Sequence, residues 1–132
     1  MYKLKEITEY MMTRDVKLEN LDTGEIEECF DDSAVSGEGD FYFMNIDGVY
    51  DCKIKLFGEP SYKEENRCVL CKVLNREVRI GKQMLVEVQV NGNKYYIEPN
   101  IMSDFLDCDS FNFDYTRKDL IQVDDVIHGD YL

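Results

Sequence analysis

Cys68 and Cys71 stand at the CxxC spacing of zinc knuckles and of thioredoxin-type redox pairs, inside the stretch RCVLCKV (67–73). A zinc knuckle needs both thiolates turned inward on a tight bend, and two further ligands. Here Val69 and Leu70 fill the gap, no glycine or proline is near, and Cys29, Cys52 and Cys108 are scattered singly. A redox pair wants its first thiol at a helix N-terminus, where the dipole lowers its pKa. No helix start follows Cys68. On a strand, residues three apart point to opposite faces. The expectation is therefore no metal and no redox pair. Val69, Cys71 and Val73 then form one buried face, with Cys71 as a small hydrophobe.

The other chemistry-bearing residues assemble no better. His128 is the single histidine, near the chain end, where a surface position is expected. GKQ (81–83) lacks the upstream glycine and the Ser/Thr of a phosphate loop. DCDSFNFD (107–114) brings Asp107, Asp109, Asn112 and Asp114 together. A calcium loop wants an oxygen ligand at its fifth position and glycine at its sixth. Phe111 and Asn112 stand there instead. A solvated acidic loop is expected, with adventitious cation binding by Asp107, Asp109 and Asp114 left open. No catalytic constellation and no cofactor motif emerge, so a non-enzymatic protein is expected.

Charge is uneven. The 132 residues carry a net −13, divided as −10 over 1–52, +4 over 53–94 and −7 over 95–132. An acidic field repels nucleic acid and anionic membranes. The basic middle is the exception. Lys53, Lys55, Lys72, Arg76, Arg79 and Lys82 would form a local basic face, with Phe57 and Tyr96 as stacking surfaces beside it. The competing reading is that these cations balance the acidic thirds across neighbouring strands.

Positioning these residues falls to strands. Alanine is almost absent, while Tyr, Phe, Val and Ile are plentiful. VKLENLDTGEIEECF (16–30) predicts a hairpin about a three-residue turn at Gly24, with Val16, Leu18, Ile26 and Phe30 on one face. VYDCKIKLF (49–57) predicts a strand with Tyr50, Cys52, Ile54 and Leu56 inward, and GEPSYKEEN (58–66) a loop. LVEVQVNGNKYYIEP (85–99) predicts a type I′ hairpin at Asn91-Gly92. That register sets Val88 opposite Tyr95 and Val86 opposite Ile97, with Glu87, Gln89, Lys94 and Tyr96 outward. Residues 4–12 suit a strand or a short helix, Asn100 is a candidate cap for one helical turn, and DLIQVDDVI (119–127) suits a last strand.

Seven or eight short strands with one or two helical turns predict a mostly β, single-domain barrel or sandwich, OB-like or SH3-like. Its core is expected over 14–99, with 100–132 an acidic C-terminal extension or a final strand. No apolar run reaches a membrane span, and the charged N-terminus lacks a secretory signal, so a cytoplasmic protein with reduced thiols is expected. Three readings follow. The first is a non-enzymatic binding or adaptor module with protein partners. The second is an OB-like module for single-stranded nucleic acid, using the basic middle. The third is an acidic decoy of nucleic acid.

Overall fold

Two alternating runs seed the barrel. Cys52, Ile54 and Leu56 are buried on one side of a strand, with Lys53, Lys55 and Phe57 on the other. Val86, Val88, Tyr95 and Ile97 are buried across the hairpin, paired as the Asn-Gly register requires. Asn91 and Gly92 both take positive φ, 50° and 84°, as a type I′ turn demands.

The computed structural model describes residues 1–62 and 68–132. Ten strands form one sheet: β1 Tyr2–Glu9, β2 Arg14–Asn20, β3 Ile26–Asp31, β4 Val49–Tyr50, β5 Cys52–Ser61, β6 Val69–Ile80, β7 Gln83–Val90, β8 Asn93–Ile97, β9 Ser110–Val123 and β10 Val126–Ile127. Among the described residues only short 3-10 turns accompany them, at Ser33–Ser36, Pro99–Met102 and Gly129–Tyr131. The sheet runs β4-β1-β2-β3-β9-β5-β8-β7-β6, and β6 returns to β9. Strands β5 to β9 thereby close a five-stranded barrel. The β5–β8 pairing is parallel and the rest of the ring antiparallel. Among the described residues no helix is long and apolar enough to cross a membrane.

The barrel therefore spans 52–123 rather than lying within 14–99. The reason is β9. Residues 107–114 carry four Asp or Asn side chains and read as a loop. Yet Phe111 and Phe113 alternate into the core, and β9 pairs with β3, β5, β6 and β10. A last strand over 119–127 is replaced by this long β9, and a tight turn through Asp124 leads into β10. Likewise β5 continues through Ser61, where a loop over 58–66 is expected; residues 63–66 of that loop lie outside the described residues. The helical turn starts at Pro99, with Glu98 rather than Asn100 before it. Residues 4–12 resolve as β1 and its turn, since Tyr2 and Leu4 alternate inward.

The β2–β3 hairpin slips by one from its expected register. Leu18 faces Glu27 and Val16 faces Cys29, so Glu27, Cys29 and Asp31 turn inward while Ile26 is exposed. The cause is the turn. Asn20 Oδ1 accepts from the backbone N–H groups of Asp22 and Thr23, and Asn20 N–H donates to the Glu25 carbonyl, which widens the loop to Leu21–Glu25. A one-residue slip exchanges the faces of the whole strand.

One continuous core joins Leu4, Val16, Leu18 and Cys29 to Ile54, Leu56, Val88, Ile97, Phe113 and Leu120. A second, smaller cluster lies on the other face of the barrel wall: Ile80, Leu85, Tyr96, Ile121 and Tyr131. The C-terminal turn covers it, and Lys82 N–H donates to the Tyr131 carbonyl at 2.6 Å. A Cβ on Gly81 would stand 2.0 Å from that oxygen, so only glycine admits the clamp.

Candidate functional site: the seam between β3 and β9

The expected basic face does not assemble. Lys53, Lys55 and Phe57 sit on β5, Lys72, Arg76 and Arg79 on β6, Lys82 in the turn after β6 and Tyr96 on β8; β5 and β6 are separated by β9 one way around the barrel and by β8 and β7 the other. Lys53 donates to Gln122. Lys55 is mostly buried against Tyr131 and donates to Glu98 at 3.2 Å. Burial works against its charged form, but Tyr131 and Glu98 outweigh that and raise its pKa. Arg76 donates to the carbonyls of Leu106 and Cys108 and to the Asp109 carboxylate. Tyr96, expected outward, is 6% exposed and donates to Glu87. Lys72, Arg79 and Lys82 remain exposed on the β6–β7 hairpin, and Phe57 is half exposed under the Arg117 guanidinium.

His128 also departs from expectation. It is 3% exposed, its ring packed edge-on against Phe41 and Tyr131. The Asp130 backbone N–H donates to Nδ1 at 3.0 Å, so the ring proton resides on Nε2 and faces Asp32 Oδ1 at 2.7 Å. Asp32, His128 and Asp130 converge as metal ligands would. However, Nδ1 is occupied by a donor and Nε2 carries the proton, so neither ring nitrogen offers a lone pair. The cluster fastens the C-terminus to the turn after β3. In the 107–114 stretch, Asp107 and Asp109 precede β9, while Asn112 and Asp114 lie on the strand face opposite the buried Phe111 and Phe113.

The two sulfurs of the opening motif likewise separate. Cys71 is fully buried on β6 beside Val69 and Val73, and Cys68 is part-exposed ahead of the strand. Burial pushes the Cys71 thiol up to about 12.

What the fold does build is a split in its own sheet. Parallel strands β3 and β9 share one residue pair, Phe30 with Asp119. Towards their N-terminal ends they diverge. Among the described residues no strand pairs with β3 on its β9 side over residues 26–29, or with β9 on its β3 side over Tyr115–Lys118. Between them runs a groove with two neighbouring cavities of about 290 and 450 Å³, which share Ile26, Tyr115 and Lys118 as lining residues.

Side chains from both strands lace this groove. On its inner side Lys118 donates to Glu27 Oε1 at 3.2 Å, and Tyr95 O–H donates to the same oxygen at 2.7 Å. Lys118 Nζ lies 5.3 Å from the Tyr95 ring centre and 5.2 Å from that of Tyr115. Burial, followed by the Glu27 charge, raises the Tyr95 pKa far above its ordinary value, so the phenol stays a neutral donor. Asn93 Nδ2 donates to Glu25 Oε2 at the groove mouth. On the outer side Arg117 lies 4.8 Å from both the Phe30 and the Phe57 rings, while paired with Asp119. The acids Asp15, Glu25, Glu27 and Glu28 outnumber the cations Arg117 and Lys118 along the groove. The signal that could have found the site is the inward set Glu27, Cys29 and Asp31, which the one-residue slip concealed.

Comparison with family models, curated proteins and solved structures finds no match to this chain.

Proposed function

We propose that the protein is a non-enzymatic binding module that takes an extended segment of a partner protein into the groove between β3 and β9. One observation carries this reading: two strand edges face each other across a gap after a single shared pair. Strand edges present a row of backbone donors and acceptors, and an extended peptide is the ligand that satisfies such a row. The apolar positions Ile26, Leu56, Val69 and Val90 supply pockets for alternate side chains. The excess of carboxylates favours a segment carrying positive charge.

The OB-like reading with single-stranded nucleic acid is weaker. Its support is the five-strand closure and the exposed Lys72, Arg79 and Lys82; its difficulty is the separation of those cations from Lys53 and Lys55. The net charge of −13 opposes it further and is the support for the acidic-decoy reading.

The test is selection of twelve-residue peptides from a random displayed library on the native protein, with a counter-screen on Ile26→Arg. Ile26 is half exposed, so this change fills the groove while leaving the core intact. Selected sequences should alternate apolar and basic residues and lose at least tenfold in affinity on the variant. Peptides that bind both proteins equally would refute the groove as the binding site.

A further inference from the structure

Glu27 is 2% exposed, and its Oε2 has no hydrogen-bond partner among the described residues. Its other oxygen already accepts from Tyr95 and Lys118. A buried carboxylate oxygen left unpaired costs stability, so such an atom invites a ligand. Glu27 forms part of the wall of the 290 Å³ cavity, with Glu25 at the mouth and Ile26, Leu56, Val90 and Tyr115 around it. With Oε1 held by Lys118 and Tyr95, Oε2 is the acceptor that Glu27 keeps for a ligand in the cavity it lines.

We infer that this cavity is a recognition pocket for a guanidinium group, the side chain of an arginine in the bound segment, with Glu27 as its deep acceptor and Glu25 as its outer one. The charge balance favours a cation. Lys118 is matched by Glu27, which leaves the Glu25 carboxylate in excess. The geometry favours guanidinium over ammonium, because a planar group with five donors can address two carboxylates at once and stack on a tyrosine ring. Tyr115 supplies that ring, and the apolar wall accepts the methylene stem.

The inference rests on the groove reading, and the two can fail separately. The probe for the pocket is N-acetyl-arginine amide, which has no strand to add. The probe for the groove is a twelve-residue peptide of alternating valine and threonine. Backbone amide resonances of the native protein are followed while each is titrated. The arginine amide should give saturable shifts confined to residues 25–27, 90–95 and 115–118. Its affinity should fall at least tenfold for Glu27→Gln, and for the citrulline analogue, which keeps the shape without the charge. Should Glu27→Gln fail to fold, Glu25→Gln serves in its place, with a loss of at least threefold expected. Peptide binding without any saturable response to the arginine amide would overturn the pocket and leave the groove standing. An arginine response that Glu27→Gln and Glu25→Gln leave unchanged would overturn the pocket assignment. An arginine response with no peptide binding would support the pocket and refute the groove.

Discussion

At the scale of single residues, burial rather than spacing decides the chemistry. Burial pushes the Cys52 and Cys71 thiols up to about 12, and Cys29 well above its ordinary range. A thiol held protonated is not a nucleophile. Labelling of the folded protein with iodoacetamide at pH 8 should therefore modify Cys68 and Cys108, both part-exposed, and spare the other three, as peptide mass mapping would show. The same shifts set an alkaline limit. These thiols ionise more readily when unfolded, near their ordinary 9.0, than when folded. The stabilisation they give is thus complete below pH 9 and is lost as pH climbs towards about 12, which denaturant midpoints measured across that range should follow. Acid pairs carry a different cost. Arg14 Nε donates to Asp31 Oδ2 at 2.7 Å and Nη2 to the Phe41 carbonyl at 2.6 Å, with both side chains buried. Arg14→Ala leaves the buried Asp31 carboxylate without its cation, with only the Ser33 N–H still donating to it, and should cost about 3–5 kcal/mol by chemical denaturation.

At the scale of elements, legibility followed the strength of local signals. The Asn91-Gly92 hairpin was readable to the residue because a two-residue turn permits one register. The β2–β3 hairpin was misread because Asn20 caps its own turn through a side chain, and one residue of slip hid the inward carboxylates of Glu27 and Asp31. The first half of strand β9 reads as a loop because Asp107, Asp109, Asn112 and Asp114 crowd residues 107–114, although Phe111, Phe113 and Tyr115 alternate. Tyr96 was placed outward by alternation, which fails where a strand is buried on both faces by the C-terminal turn. The consequence for β9 is testable. A chain ending at residue 109 loses the strand that closes the barrel against both β5 and β6. It should show no cooperative thermal transition by circular dichroism, whereas a dispensable acidic extension would leave the melt intact.

At the scale of the whole molecule, charge and sheet topology point the same way. A net −13 opposes nucleic acid, and among the described residues the cations of the middle third are divided between β5 and the β6–β7 hairpin. Polarisation titration of a labelled single strand in low salt should show no saturable binding at micromolar protein. A rise that salt abolishes would restore the nucleic-acid reading. Among the described residues, two of the unpaired strand edges lie beside apolar side chains that suit a protein partner. One is the outer edge at β4, beside the exposed Tyr42, Phe43, Ile46 and Val49. The other is the split between β3 and β9, which adds facing edges, two neighbouring cavities and a buried carboxylate oxygen without a partner.

Hydrogen exchange distinguishes these two edges. The backbone amides of the native protein would be followed with and without the tightest peptide selected on it. Binding in the groove should slow exchange at residues 26–29 and 115–118 by at least tenfold and leave β1 and β4 unchanged. Protection confined to Lys3–Thr8 and Val49–Tyr50, with the groove amides unaltered, would place the partner on the outer edge and contradict the account.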